Sequence, residues 1–250
     1  MPQVPAATRT LKVLRFLAAQ PDPVPLERIA AAVDLPRSTA YHLVNAMIEQ
    51  GFVTHIAEER RYCLGVAAFE VGTGYARQAP LQRIAHRPLA TLVDRVGQSA
   101  HLAVPHGRDV LYVLEERAPG RPPLVTDVGV RLPASLTASG RAILAALPES
   151  QVRALHPDRS AFVDRNGRGP TTPRALRSLL AETRSRGYAA EDGDVTPGFA
   201  SVADAVLDHN GTPLGAIACT YDAREDVDVP GLVAAVSSTA RAVSRRVGGQ

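Results

Sequence analysis

The stretch LPRSTAYHLVNAMIEQGFV, residues 35–53, decides how the N-terminal part of this chain folds. Its apolar residues recur with the spacing of one face of an α-helix. They are Ala40, Leu43, Val44, Met47 and Ile48. The polar residues Ser38, His42 and Asn45 fall on the opposite face, and Gly51 follows at a position typical of helix ends. The stretch therefore predicts a short helix with one buried face and one polar face.

The residues on either side of this helix predict two more helices and a hairpin. Residues 8–19 and 26–33 each place apolar side chains on one face, and the prolines of QPDPVP separate them. After the helix, FVTHI and YCL are typical of two strands, joined by the charged segment AEERR. Three short helices followed by a two-stranded hairpin are the order of elements in a winged helix-turn-helix. Residues 1–65 are therefore predicted to form one.

A change of pattern after the hairpin marks a predicted domain boundary. Residues 66–80 are predicted to be a connecting helix and linker, interrupted by Gly72 and Gly74 and ended by an alanine–proline step. Residues 81–250 follow as a second domain, and a chain of 250 residues is long enough for two cores.

The second domain is predicted to be an α+β fold, built on an antiparallel sheet with helices at its edges. The predicted strands are SAHLAVPH, DVLYVLEE, PPLVTDVG, YAAED, ASVADAVLD and PLGAIACTY. The predicted helices are residues 81–96, 137–148, 173–187 and 232–247. The Asn-Gly pair in HNGT predicts a hairpin between the last two strands.

The composition is that of a soluble globular protein, with 45% hydrophobic and 21% charged residues. No apolar run could span a membrane and the first residues lack the features of a secretory signal, so a cytoplasmic protein without a membrane partner is expected. The two cysteines lie far apart and the seven histidines are scattered, so no metal site and no cofactor are predicted. A net charge of +3 permits DNA binding, whereas a non-specific DNA-packaging protein would need a far more basic chain.

Enzyme classes find little support in the sequence. TASGRA is not the nucleophile elbow G-x-S-x-G, and no Gly-rich phosphate loop follows a predicted strand. The carboxylates of EERAPGRP and AEDGDV have no neighbouring base or metal ligand in the sequence with which they could form a catalytic site. The chain is therefore predicted not to be an enzyme.

Taken in order, several segments resemble the IclR-type bacterial transcriptional regulators over nearly the whole chain. They include LERIAAAVDLPRSTAYHLVNAMIEQGFV, RRYCLG, GQSAHLAV, VGVRLPASLTASGRAILA and RGYAAEDGDVTPGFASVADAVLDHNGTPLGAIA. The resemblance implies a two-domain α+β protein with an N-terminal winged helix-turn-helix, a connecting helix and a C-terminal GAF-like antiparallel-sheet domain. It implies sequence-specific binding to double-stranded operator DNA, modulated by a small organic-acid or aromatic metabolite in the GAF-like domain. The alternative is an enzyme, or a small-molecule-binding protein without a role in transcription, that uses the GAF-like domain.

A regulator of this kind is expected to be a homodimer or a homotetramer. One helix in one groove gives little affinity, and two-fold symmetry lets two recognition helices meet two half-sites.

The polar face of the third helix is the predicted DNA-reading surface. The first turns of such a helix approach base edges in the major groove. Ser38, His42 and Asn45 face outward for that role, and Arg37 and Thr39 can reach the flanking phosphates. The other predicted DNA contacts are Tyr41, Arg60 and Arg61. The alternative for the helix is that its polar face is only hydrated and contacts no DNA. The alternative for Arg60 and Arg61 is a charged hairpin balanced by its own acidic residues. The family usually has arginine at the position of His42, so a different operator sequence is expected.

The resemblance also implies an effector pocket between a loop and the later strands. The corresponding residues are Leu136, Ala138, Ser139, Glu191, Ser201, Ala218 and Thr220. The family often has Asp, Cys and Ser at the positions of Glu191, Ser201 and Ala218, so a partly apolar acid is expected. Glu191 would repel an anion unless it is protonated, turned away or hydrogen-bonded. Alternatively, Ala218 and Thr220 only follow the inward and outward alternation of a strand and bind no effector. His101 is expected to be a core histidine whose hydrogen bonds are satisfied within the protein.

Overall fold

The computed structural model describes the backbone of residues 4–78 and 80–248 and the side chains of residues 4–72 and 81–248. Contacts between residues divide the chain into two compact units, Met1–Ala79 and Pro80–Gln250. Each unit has an apolar core of its own.

The first unit has the order of elements of a winged helix-turn-helix followed by a connecting helix, as predicted. The elements are α1 (Pro5–Ala18), α2 (Leu26–Ala32), α3 (Arg37–Glu49), β1 (Val53–Ile56), β2 (Arg61–Leu64) and α4 (Val66–Gln78). The first helix begins earlier than predicted because Pro5 is tolerated in a first turn. α4 continues through Gly72 and Gly74, so the predicted interruption is wrong. A glycine inside a helix costs only about 1 kcal/mol relative to alanine, which need not break it.

One face of α3 packs into the core of this unit, and its end follows from a glycine. Ala40, Val44 and Met47 are buried against apolar residues of α1, α2 and the hairpin. Gly51 adopts a φ of +72°, and its N–H donates to the Ile48 carbonyl at 2.9 Å. This left-handed backbone conformation at Gly51 ends the helix and turns the chain toward β1.

The second unit is built on a six-stranded antiparallel sheet in the order β5-β4-β3-β8-β7-β6. Its strands are β3 (Ser99–His106), β4 (Asp109–Glu116), β5 (Arg131–Pro133), β6 (Ala189–Asp192), β7 (Phe199–Leu207) and β8 (Pro213–Asp222). Its α-helices are α5 (Pro80–Val96), α6 (Ala138–Ala146), α7 (Glu149–Leu155), α8 (Pro173–Arg186) and α9 (Val229–Arg246).

Helices cover both faces of this sheet instead of lying at its edges, which corrects the prediction. α5 and α9 pack on one face around Leu102 and Ile217. α6 and α8 pack on the other face around Ala103 and Ala216. Because successive strand residues point to opposite faces, strands that are apolar on both sides need a layer on each side.

Two further differences concern the chain between β4 and α8. PPLVTDVG, residues 122–129, is not a strand: it starts with two prolines, which have no N–H to donate, and Gly129 has a φ of +89°. The third strand is instead β5, which pairs with β4. The helix α7 was not predicted, because its seven residues are too few to show a clear period.

Candidate DNA interface and ligand pocket

The polar face of α3 is open to solvent, as its sequence pattern predicts. Arg37, Ser38, Thr39, Tyr41 and His42 are exposed, and the next predicted contact along the helix is half-buried. That residue is Asn45. The first two turns of α3 therefore present hydroxyl, imidazole and guanidinium groups on one surface, and these are groups that bind base edges and phosphates.

Intramolecular contacts already hold two of the predicted DNA-binding arginines. The Arg37 guanidinium pairs with Glu27 of α2 at 3.0 Å, and both side chains are mostly exposed. Arg61 Nη1 donates to the carbonyl of Pro23 at 2.9 Å, which ties the hairpin to the loop before α2. Arg60 is exposed in the hairpin turn, directly before β2, and has a φ of +53°.

The second unit contains a pocket on the sheet face that α6 covers. It encloses about 410 Å³ of space not filled by atoms, part of it open to solvent. Its lining residues are His101, Tyr112, Leu124, Val125, Thr126, Thr137, Ala138, Ser139, Glu191, Val195, Thr196, Phe199, Ser201, Ala218 and Thr220. We call it the ligand pocket. Its lining combines apolar side chains with nine that carry polar groups, and small-molecule sites likewise use polar groups to orient a ligand among apolar walls.

The sheet register places the polar groups of the ligand pocket in one row. Glu191 pairs with Ser201 across β6 and β7, and Ser201 pairs with Thr220 across β7 and β8. The Ser201 hydroxyl donates to Glu191 Oε1 at 2.7 Å and lies 2.9 Å from Thr220 Oγ1. Burial raises the pKa of the Glu191 carboxyl, and the Ser201 hydrogen bond partly offsets that rise. Its other oxygen accepts from the Asp194 N–H at 3.1 Å, so Glu191 is hydrogen-bonded within the protein.

A buried arginine holds the loop that follows Glu191. The Arg141 guanidinium pairs with Asp194 and also donates to the carbonyls of Ser135 (2.9 Å) and Ala190 (2.7 Å). Arg141 is only 4% exposed. It therefore links α6, the loop before it and the β6–β7 loop around one side of the ligand pocket.

The N-terminus of α6 points into the ligand pocket. The Thr137 hydroxyl caps the helix by accepting from the Gly140 N–H at 2.9 Å. Gly140 is required, because a Cβ there would lie 2.2 Å from the Ala134 carbonyl oxygen. The Ser139 hydroxyl is buried and has no hydrogen-bond partner of ordinary geometry among the described residues. An anionic or polar ligand group could occupy this end, where free N–H groups and the helix dipole favour it.

His101 is fully buried, as expected of a core histidine, but it lines the ligand pocket and only one of its ring nitrogens is satisfied. Its Nε2 lies 2.8 Å from the Thr126 hydroxyl, but its buried Nδ1 has no partner among the described residues. Its interaction with Glu115 lowers the pKa of that carboxyl, and its ring meets Tyr112 edge-on at 5.8 Å. Burial raises the pKa of the Tyr112 phenol, which therefore stays protonated as a hydrogen-bond donor.

Six of the seven predicted effector residues line the ligand pocket. The exception is Leu136, whose side chain is 1% exposed in the core beside Gly169. It precedes the α6 cap in a tight turn, with its N–H bonded to the Pro133 carbonyl, and its side chain packs in the core instead of lining the pocket. The sequence pattern did not indicate the lining residues from β3, β4 and the irregular segment 117–130, nor Val195, Thr196 and Phe199 between β6 and β7. The alternation of SAHLAVPH, with His101 on the face of Ala103, was the available signal.

Among the described residues, no group of three or more His, Cys, Asp or Glu side chains could hold a metal ion. Within that same part of the chain, no helix has both the length and the apolar character needed to cross a membrane.

Comparison with known proteins agrees with this architecture. Residues 6–56 match the IclR helix-turn-helix domain, and residues 73–245 match the family described as bacterial transcriptional regulator IclR C-terminal. The glycerol operon regulatory protein of Streptomyces coelicolor is 34% identical over 96% of this chain and 95% of its own length. The transcriptional repressor IclR of Escherichia coli is 30% identical over 86% of this chain and 79% of its own length. The structure of an IclR homologue from Microbacterium hydrocarbonoxydans complexed with 4-hydroxybenzoate has a TM-score of 0.81 at 23% identity, covering 97% of this chain and 98% of the other. These matches confirm the resemblance seen in the sequence: the chain belongs to the IclR family of bacterial transcriptional regulators.

Proposed function

We propose that this regulator represses transcription by binding a two-fold symmetric operator in the cytoplasm, and that a small organic or aromatic acid in the ligand pocket changes its affinity for that operator. The main observation in support is that one chain combines an exposed polar face on α3 with a pocket that contains polar groups without ordinary hydrogen-bond partners. His101 Nδ1 is buried without a partner among the described residues, and Ser139 Oγ, which lies near the Tyr112 phenol, has none of ordinary geometry. Buried unpaired polar groups cost free energy that a bound ligand can recover. The name of the E. coli relative supports repression.

The acid is argued from the chemistry of the pocket walls. Its lining contains no Lys or Arg among the described residues, so a carboxylate would depend on neutral donors. The N-terminus of α6 supplies them as N–H groups beside Ala138 and Ser139. The phenol of Tyr112 and the apolar side chains of Leu124 and Phe199 suit an aromatic or branched body.

DNA binding to the region that flanks the protein's own gene tests the regulatory part of this proposal. At raised salt and with excess competitor DNA, we expect one fragment to be retained while unrelated fragments are lost, because base contacts survive screening that weakens phosphate contacts. Equal loss from all fragments would contradict sequence-specific recognition. Thermal-shift screening of organic acids, starting with 4-hydroxybenzoate, tests the ligand part.

We expect the protein to be at least a dimer before it meets DNA. Val66 and Val71 on α4 are each more than 60% exposed, and two exposed valines on one helix form an apolar surface that a second copy can cover. Covering such a surface with a second copy removes it from water and supplies the two-fold symmetry that two half-sites need. Sedimentation at micromolar concentration should therefore show a dimer or a tetramer. A dominant monomer would remove the symmetric-operator argument.

The Glu191→Gln substitution is expected to tighten binding of 4-hydroxybenzoate about threefold to tenfold. The carboxyl accepts hydrogen bonds from Ser201 and Asp194, so it does not need a ligand donor, and its residual negative charge repels an acid in a buried pocket. Calorimetric titration of the full chain measures the change.

The neutral amide of the same acid, 4-hydroxybenzamide, is the matched control. Its affinity should change much less between the two proteins, because it carries no charge for Glu191 to repel. If both ligands change equally, the effect comes from altered packing. If the acid binds more weakly to the variant, Glu191 accepts a hydrogen bond from the ligand and the repulsion argument is wrong.

A further inference from the structure

A second pocket adjoins the ligand pocket on the same unit. It is lined by Gln98, Ser99, Arg121, Pro122, Leu124, Phe199, Thr220, Tyr221, Asp222 and Glu225 and encloses about 290 Å³, part of it open to solvent. We call it the outer pocket. Three of its residues, Leu124, Phe199 and Thr220, also line the ligand pocket. The two spaces are therefore neighbours that meet at these three side chains.

The polar row of the sheet continues from one pocket to the other. Glu191, Ser201 and Thr220 lie in register across β6, β7 and β8, and Thr220 pairs in turn with Ser99 of β3. Thr220 lines both pockets, and Ser99 lines only the outer one. A ligand that follows this row would leave the ligand pocket beside Thr220 and enter the outer pocket, passing the apolar side chains of Leu124 and Phe199.

Two polar groups of the outer pocket have capacity that the protein does not use. Gln98 is 5% exposed, and its Oε1 is buried without a hydrogen-bond partner among the described residues. Arg121 uses Nε for the Gly97 carbonyl (3.1 Å) and Nη1 for both oxygens of Glu225 (2.6 and 2.7 Å). Its Nη2 has no protein partner in the same part of the structure, but the side chain is 27% exposed and this nitrogen is open to water. The outer pocket thus lacks a donor for Gln98 Oε1, whereas Arg121 Nη2 can exchange water for a ligand acceptor.

We propose that the outer pocket is a second subsite, which binds the far end of an elongated effector, and that this end carries a hydroxyl group. A hydroxyl both donates and accepts, so one group can satisfy Gln98 Oε1 and Arg121 together. The inference rests on the proposed function, since it assumes that an acid occupies the ligand pocket. It narrows the effector to a hydroxy acid longer than a single-ring benzoate, with an apolar middle between Leu124 and Phe199.

Cinnamate and 4-hydroxycinnamate provide the test, because they have the same length and differ by one distal hydroxyl. The full chain should bind 4-hydroxycinnamate about tenfold more tightly than cinnamate. The distal hydroxyl donates one hydrogen bond to the buried Gln98 Oε1, and a bond of this kind is typically worth about a factor of ten in affinity. In Gln98→Leu that advantage should fall to about twofold or less, since the acceptor is gone. Gln98→Met, an unbranched side chain of similar length, should give the same result if the leucine variant folds poorly.

Gln82→Leu is the matched control, because Gln82 also has an unpartnered buried Oε1 but lines neither pocket. It should keep the hydroxyl advantage. The subsite is overturned if wild type binds the two cinnamates equally, if the advantage persists in both Gln98 variants, or if 4-hydroxybenzoate binds while neither cinnamate does. Failure of all three acids to bind would instead contradict the acid effector of the proposed function, and the subsite with it.

Discussion

Arg141→Leu is expected to lower the free energy of unfolding of the second unit by about 3–5 kcal/mol. The arginine is buried, and its removal leaves the Asp194 carboxylate without its partner in a site where that side chain is 11% exposed. The carbonyls of Ser135 and Ala190 lose their donor as well. A domain of this size loses roughly 2–4 °C in melting temperature per kcal/mol, so a thermal melt should shift down by ~10 °C.

Arg153→Leu is the control for this experiment. Arg153 pairs with Glu149 at 3.9 Å, and both side chains are more than 60% exposed. Such a pair contributes about 0.5 kcal/mol or less, so its melt should barely move. The double variant Arg141→Leu with Asp194→Leu should recover part of the loss, because the unpaired charge is then gone. Equal losses for the two arginine variants would show that Arg141 does not hold the pocket loops through a buried ion pair.

His42→Ala and Ser38→Ala are each expected to weaken binding to the cognate operator by about 1–3 kcal/mol, a factor of roughly 5–150. Both side chains are exposed on the first two turns of α3, where a recognition helix meets base edges. Binding to unrelated DNA should change little, because neither residue carries a permanent charge for phosphate. Anisotropy titrations on operator and scrambled DNA measure both quantities.

Arg60→Ala gives the opposite pattern and serves as the contrast. Its exposed guanidinium in the hairpin turn can contact phosphate, so its loss should weaken binding to both DNAs alike and reduce the dependence of affinity on salt. If His42→Ala and Ser38→Ala leave the operator preference intact, the polar face of α3 is only a solvated surface.

The winged helix-turn-helix was predictable because its signals are local. The period of Ala40, Val44 and Met47 marks one helix face, and Gly51 marks the end of the helix. Each of these depends on residues only a few positions apart. The polar row of Glu191, Ser201 and Thr220 came from the family resemblance, and its geometry depends on strand register, which the turn between β7 and β8 helps to set.

The remaining part of the ligand pocket was not predictable from local patterns. Leu124, Val125 and Thr126 lie on an irregular segment that long-range contacts position. Those contacts include the Thr126–His101 pair and the N–H of Gly129 bonded to the Tyr112 carbonyl at 2.8 Å. A buried strand residue such as His101 also occupies the same place in the sequence alternation whether its side chain faces a packed core or a cavity. Only the three-dimensional packing separates the two cases.

The most direct test of the central claim is the affinity of the full chain for its operator, measured with and without an acid that thermal shift shows to bind. An acid in the ligand pocket should change the operator dissociation constant by about 5–150-fold, which corresponds to a coupling of roughly 1–3 kcal/mol. By reciprocity, operator DNA should change the affinity for the acid by the same factor. An acid that binds the second unit and leaves the operator affinity unchanged would contradict the claim that the ligand pocket controls DNA binding.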